Sequence, residues 1–200
     1  VYRFRYPESF NYFNHRTHPV KTDILLNNEA QTIVDEYDNS VLYNDYLIAS
    51  IIELLEKQNG SNAMLYFSDH GDEVYDFRDF AGHAYEKAST YMCEIPFMLW
   101  TSDVFEKQRK DLVFHMDRPY STVDVLYSLS DIAGLRYKDY EESRSIFSPH
   151  FVPRERMIGD LSYETVIERT EAGESKRPIE FWASAVKEKI SIRIPVPFEK

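Results

Sequence analysis

Met64-Leu65-Tyr66-Phe67-Ser68-Asp69-His70-Gly71-Asp72 is an apolar, aromatic-rich run that ends in a carboxylate, an imidazole and a glycine. It follows the loop signal Asn59-Gly60-Ser61-Asn62, so it reads as a short buried strand entering a turn. Open α/β sheets gather their ligands at the carboxyl ends of strands, which is where this strand delivers Asp69 and His70. A carboxylate oxygen beside an imidazole nitrogen, with no thiolate, suits Zn²⁺ or alternatively Mn²⁺. An Asp-His-Gly is also what an ordinary turn looks like, with Asp69 accepting backbone N–H groups and Gly71 supplying a positive φ. The surrounding sequence decides between them.

Upstream, Ile33, Tyr37, Val41, Ile48, Ile52 and Leu55 recur at helical spacing and predict a helix over Asn28 to Gln58, stopped by Gly60. Downstream, a polar loop from Gly71 to Thr90 leads to a second strand around Ile95 to Trp100. Ser102-Asp103 can cap a short helix through Arg109. Ser121-Thr122-Val123-Asp124 resembles a capping box opening a helix through Ile132, which Gly134 ends. Helices and strands alternating in this way predict an α/β layered domain, with a central parallel or mixed sheet flanked by helices. Beyond residue 148 the pattern changes to short apolar bursts, with strands expected over Val152 to Leu161 and Ile190 to Ile194. The chain therefore divides into residues 1–148 and a small β-containing extension, 149–200. Before Asn28 it reads as an irregular approach in which His15 and His18, near Arg16 and Lys21, are solvated loop residues.

The 200 residues, 43% hydrophobic and 15% aromatic, can bury a real core. Their net charge of −11 argues against a phosphate-backbone binder, so nucleic acid is not an expected partner. An anionic substrate is still compatible, because one dication inverts the local field. Cys93 is the single cysteine, which excludes an intrachain disulfide and a multi-cysteine zinc site. It sits in an apolar stretch with no basic neighbour and reads as a buried thiol rather than a nucleophile. No run approaches the roughly 20 apolar residues that cross a bilayer, so the chain itself is expected to be soluble. Its start on Val1, without Met, suits a fragment of a longer protein.

The loop after His70 carries Asp72, Glu73, Asp76 and Asp79 and then Gly82-His83, returning a second imidazole before the next strand. His83, free through Gly82 to approach a ligand closely, could bind metal or hydrogen-bond a substrate oxyanion, and is otherwise a loop histidine in water. The carboxylates between are not assigned as metal ligands, although Asp72 or Glu73 could orient an imidazole.

Three ordered blocks carry a resemblance. Arg5-Tyr6-Pro7-Glu8-Ser9-Phe10, Tyr37-Asp38-Asn39-Ser40-Val41-Leu42-Tyr43-Asn44-Asp45-Tyr46, and Ser68-Asp69-His70-Gly71-Asp72 with Gly82-His83 and Ile95-Pro96-Phe97-Met98-Leu99-Trp100 are similar to the carboxyl-terminal part of the catalytic domain of bacterial phosphoethanolamine transferases. These enzymes belong to the alkaline phosphatase and sulfatase superfamily. The resemblance implies a zinc site with Asp69 and His70 as metal ligands, and His83 as the catalytic residue, close enough to contact the phosphoryl group or a second metal. It implies a phospholipid donor, a glycolipid acceptor such as lipid A or a core sugar, and a covalent threonine intermediate. The threonine and the further metal ligands of that family would precede Val1, and Thr90, Thr101 and Thr122 do not replace them. The isolated chain is therefore expected to be inactive. Its parent is expected in the bacterial inner membrane through an upstream segment, with this part in the periplasm. A sulfatase, phosphodiesterase or phosphoglycerol transferase of the same superfamily would share the metal pair, and a non-catalytic binding module would dispense with it.

Overall fold

Asn27 opens the first long element by accepting the Ala30 N–H at 2.9 Å, and the resulting helix α1 runs over Asn28–Glu56. The computed structural model describes residues 2–18 and 26–173. After α1 come strand β1 (Ala63–Phe67), the short strands β2 (Glu73–Val74) and β3 (Ala81–Gly82), and the one-turn helix α2 (Thr90–Cys93). Strand β4 (Phe97–Thr101), helix α3 (Asp103–Gln108) and helix α4 (Val125–Ala133) follow. Strands β5 (Met157–Ile158) and β6 (Leu161–Ser162) then lead into helix α5 (Tyr163–Gly173).

β1 and β4 pair antiparallel, with Leu65 opposite Leu99 and Phe67 opposite Phe97. A strand alternates its side chains between faces, so Ala63, Leu65, Phe97 and Leu99 share one face. That face packs on the buried cluster Phe105, Leu112 and Phe147, joined by Ile132 and Ile146. On the other face Tyr66 accepts a hydrogen bond from Asn44 of α1 at 2.6 Å, so α1 lies on the side away from that cluster. Helix, strands and helix thus form the layers expected of an α/β domain.

The pairing differs from the parallel or mixed sheet expected, since no parallel pair occurs among the described residues. Among the described residues every ladder has two strands and is antiparallel. The link from β1 to β4 holds a hairpin, a 3₁₀ turn over Tyr85–Lys87 and the one-turn α2, and lacks the long crossover helix that usually joins parallel neighbours. The strand expected over Val152 to Leu161 is reduced to the β5–β6 hairpin, and α5 follows where no helix was expected. The expected strand at Ile190 to Ile194 lies outside the described residues. The capping box at Ser121 does not form. Ser121 makes no side-chain cap, a 3₁₀ turn intervenes over Thr122–Asp124, and the Asp124 carboxylate is taken by Arg144 at 2.7 Å.

Two contacts tie outlying segments to this frame. Asn39 of α1 is fully buried and accepts from the N–H groups of Tyr12 (2.8 Å) and Phe13 (2.7 Å) while donating to the Phe13 carbonyl (3.0 Å). That bonding holds the amino-terminal segment on α1. His15 is correspondingly not a solvated loop residue, since its Nδ1 meets Asp35 at 2.6 Å and only 18% of its side chain is exposed. At the other end α5 packs on α2, with Val166 fully buried and Thr170 accepting from the Thr90 N–H at 3.0 Å.

Candidate metal and phosphoryl site

The turn after β1 is built by its own polar groups. Ser68 donates its hydroxyl to the His70 carbonyl at 2.7 Å, and the His70 N–H donates to Asp69 Oδ1 at 3.1 Å. The Gly71 N–H donates to the Met92 carbonyl at 2.9 Å, docking the turn on α2. A Cβ at residue 71 would lie 2.2 Å from the Tyr91 carbonyl oxygen, and Gly71 does not have the positive φ expected of it. Glycine is needed here because two stretches of backbone touch.

The acidic loop has a buried ionic anchor. Glu73 in β2 is fully buried and accepts two bonds from Arg78, at 2.7 and 2.8 Å, and a third from the Ser89 hydroxyl at 2.8 Å. β2 pairs with β3, Glu73 opposite Gly82, and Gly82 has a φ of +117° that a side-chain-bearing residue rarely adopts. The chain thereby returns toward its start and sets His83 beside His70.

The two imidazoles lie with ring centroids 3.7 Å apart. Each commits its Nδ1 to the protein. His70 Nδ1 donates to the Gly71 carbonyl at 2.9 Å, and His83 Nδ1 lies 2.7 Å from Asp72 Oδ1. A carbonyl can only accept, so His70 carries its proton on Nδ1 and keeps the Nε2 lone pair for a ligand. Asp69 Oδ2 lies 3.9 Å from that Nε2, on a side chain 89% exposed. Bonds from its own amide, then from the amide of His70, hold the Asp69 carboxyl below the usual carboxylate range. An ionised, exposed carboxylate beside an imidazole lone pair is what a dication requires.

Of the residues predicted from sequence, the structure brings His70 and His83 together and sets Asp69 against His70. The metal-competent group with donor atoms within 4.8 Å of one another is His70, Asp72 and His83. Asp72 is therefore the member of the site that the sequence left undecided. Its one clue was position, two residues after His70, hidden among other carboxylates of the same loop. Oxygen and imidazole donors with both available Nε2 atoms fit Zn²⁺ in kind. Cys93 is half-buried, and burial followed by the Glu94 charge raises its thiol pKa, against a nucleophilic role.

The family model described as sulfatase matches residues 2–135, which include all of these groups. The chain belongs to the sulfatase family. Within that family it is 37% identical over 162 residues to the phosphoethanolamine transferase EptC of Escherichia coli K12, and equally so to the phosphoethanolamine transferase CptA of Salmonella typhimurium. Each alignment takes in 80% of this chain and 28% of the relative, so this sulfatase-family chain spans under a third of their length. Its fold is similar to the crystal structure of the C-terminal periplasmic domain of E. coli EptC in complex with Zn, at a TM-score of 0.76 and 35% identity. That match covers 82% of this chain and 48% of the solved domain.

Proposed function

We propose that this chain is the carboxyl-terminal part of the catalytic domain of a metal-dependent phosphoethanolamine transferase. The full protein would move phosphoethanolamine from a phospholipid to a lipid A or core sugar acceptor. The observation that carries this reading is the meeting of His70 and His83, 3.7 Å apart, with Asp69 at the same strand end. Relatedness to transferases rather than to the sulfatase family at large selects the reaction. Asp69 and His70 would hold Zn²⁺, which when bound supplies a positive charge beside the reacting phosphoryl oxygens. A zinc complex of the related domain supports that metal over Mn²⁺.

The chain's own residues then have distinct tasks. His70, bonded through Nδ1 to the Gly71 carbonyl, presents Nε2 to a ligand. His83, with its side chain 55% exposed, can take up a proton at Nε2 and in that charged form donate it to a phosphoryl oxygen. The nucleophilic threonine and the remaining ligands belong to a segment that this chain does not contain. Residues 149–200 would be an extension or edge segment of that catalytic part. A periplasmic placement is supported by the related periplasmic domain. Among the described residues no helix is long and apolar enough to cross a membrane.

The test is transfer of labelled phosphoethanolamine from phosphatidylethanolamine vesicles to lipid A by the full-length enzyme. His83→Ala should lower the rate by about 10²–10⁴-fold. Asp69→Ala and His70→Ala should abolish both zinc retention and transfer. Release of free phosphoethanolamine with no acceptor labelled would replace the transferase reading by a phosphodiesterase of the same family.

A further inference from the structure

His83 is half-exposed at the end of a polar loop, a position where an imidazole ordinarily samples several rotamers and both tautomers. Here its Nδ1 lies 2.7 Å from Asp72 Oδ1. The other oxygen of the same carboxylate, Oδ2, accepts the Tyr2 hydroxyl at 3.0 Å. Only 12% of the Asp72 side chain is exposed, against 89% for Asp69. Tyr2 is itself buried and set edge-on against Tyr37 of α1, with ring centroids 5.2 Å apart. A line of contacts thus runs from the long helix through a phenol and a carboxylate to the imidazole.

We propose that Asp72, held by the Tyr2 hydroxyl, is the positioning residue of His83, fixing it as the Nδ1–H tautomer with the Nε2 lone pair turned over to the site. Asp72 belongs to the tight group of possible metal donors, yet both its oxygens are spoken for. An ionised carboxylate accepts and cannot donate, so the bond to His83 requires the proton on Nδ1. His70 reaches the same state by a different partner, the Gly71 carbonyl. Both imidazoles are anchored through Nδ1, so each keeps its Nε2 lone pair for the site. Carboxylate-anchored histidines are a general way of fixing ring orientation and basicity, and their loss typically lowers activity or affinity by about 10–100-fold.

The proposal rests on the reading of His83 as the catalytic imidazole, and two measurements separate the two ideas. Long-range ¹H–¹⁵N correlation spectra of the ¹⁵N-labelled chain, recorded where the histidines are neutral, read tautomers without metal or substrate. His83 is expected as Nδ1–H in the native chain, and Asp72→Ala is expected to shift it toward Nε2–H while His70 stays Nδ1–H. Tyr2→Phe, which removes one oxygen and leaves the ring packed, should give an intermediate shift, and Asp72→Glu should restore the native pattern. A native His83 found as Nε2–H, or one unmoved by both Asp72→Ala and Tyr2→Phe, overturns the proposal. In the full-length enzyme Asp72→Asn should lower kcat by about 10–100-fold with KM unchanged. Added to His83→Ala it should cost nothing more, because it acts through the ring that is already gone. Additive losses would overturn it. Full activity in His83→Ala beside the expected tautomer shift would instead defeat the catalytic assignment and leave the coupling intact.

Discussion

Gly71 shows how a glycine expected for one reason can be required for another. Sequence offered turn geometry, whereas the structure gives contact, with a Cβ at that place falling 2.2 Å from the Tyr91 carbonyl oxygen and 3.1 Å from that of Glu94. Backbone atoms cannot swing aside like a side-chain tip, so Gly71→Ala must push the turn off α2. We expect a loss of about 1–3 kcal/mol, seen as a drop in melting temperature of about 2–4 °C per kcal/mol. Because His70 is bonded to the Gly71 carbonyl, zinc uptake by the chain should weaken in the same variant. An unchanged melting point would show that α2 yields freely. Asp69, His70 and His83 were distinguishable in the sequence because an apolar strand run ends at the first two and a glycine precedes the third. Asp72 was not, since nothing local distinguishes it from Asp76 or Asp79, and its meaning comes from Tyr2, 70 residues away.

The β2–β3 hairpin is too short to stand on its ladder, and the Glu73 cluster does the holding. Arg78 supplies a bidentate partner to Glu73 and also donates to the Lys87 carbonyl at 2.5 Å, joining hairpin to the segment before α2. Removing the arginine would leave a carboxylate buried without a countercharge. Arg78→Met should therefore cost about 3–5 kcal/mol, while the double change Glu73→Gln with Arg78→Met recovers part of it. Chemical denaturation of the three proteins checks this, and a double variant as weak as Arg78→Met would contradict it. Helix α1 was legible over nearly its whole length, because apolar residues persist at helical steps across 29 residues and Asn27 caps it. α5 was missed for the converse reason. Its buried line is only Tyr163, Val166 and Thr170, with charged residues between and a hairpin directly before it. Packing on α2 rather than intrinsic periodicity makes it a helix.

At the scale of the molecule, layering was legible and strand direction was not. Alternating periodicities announce helices and strands, but pairing is set by contacts distant in sequence, here Leu65 with Leu99 across 33 intervening residues. Charge is the other global property. Carboxylates outnumber cations, 34 to 23, and α1 turns part of that excess inward. Burial, then the charges of Asp35 and Asp76, push the Asp38 carboxyl up to about 6 from an ordinary value of 3.8. In the unfolded chain Asp38 ionises near pH 4, while the folded chain keeps the proton until about pH 6. Between those values the folded state binds more protons, so stability falls as pH rises. The contribution is complete below pH 4 and gone above about pH 6, the opposite of a salt-bridged aspartate. Discounted for partial exposure, its size is about 1 kcal/mol. Asp38→Asn holds the side chain neutral at every pH. It should raise the melting temperature at neutral pH by about 2–4 °C and flatten the slope between pH 4 and pH 6. Melting curves across that range decide the matter, and a variant that keeps the native slope would move its origin from Asp38 to another carboxylate.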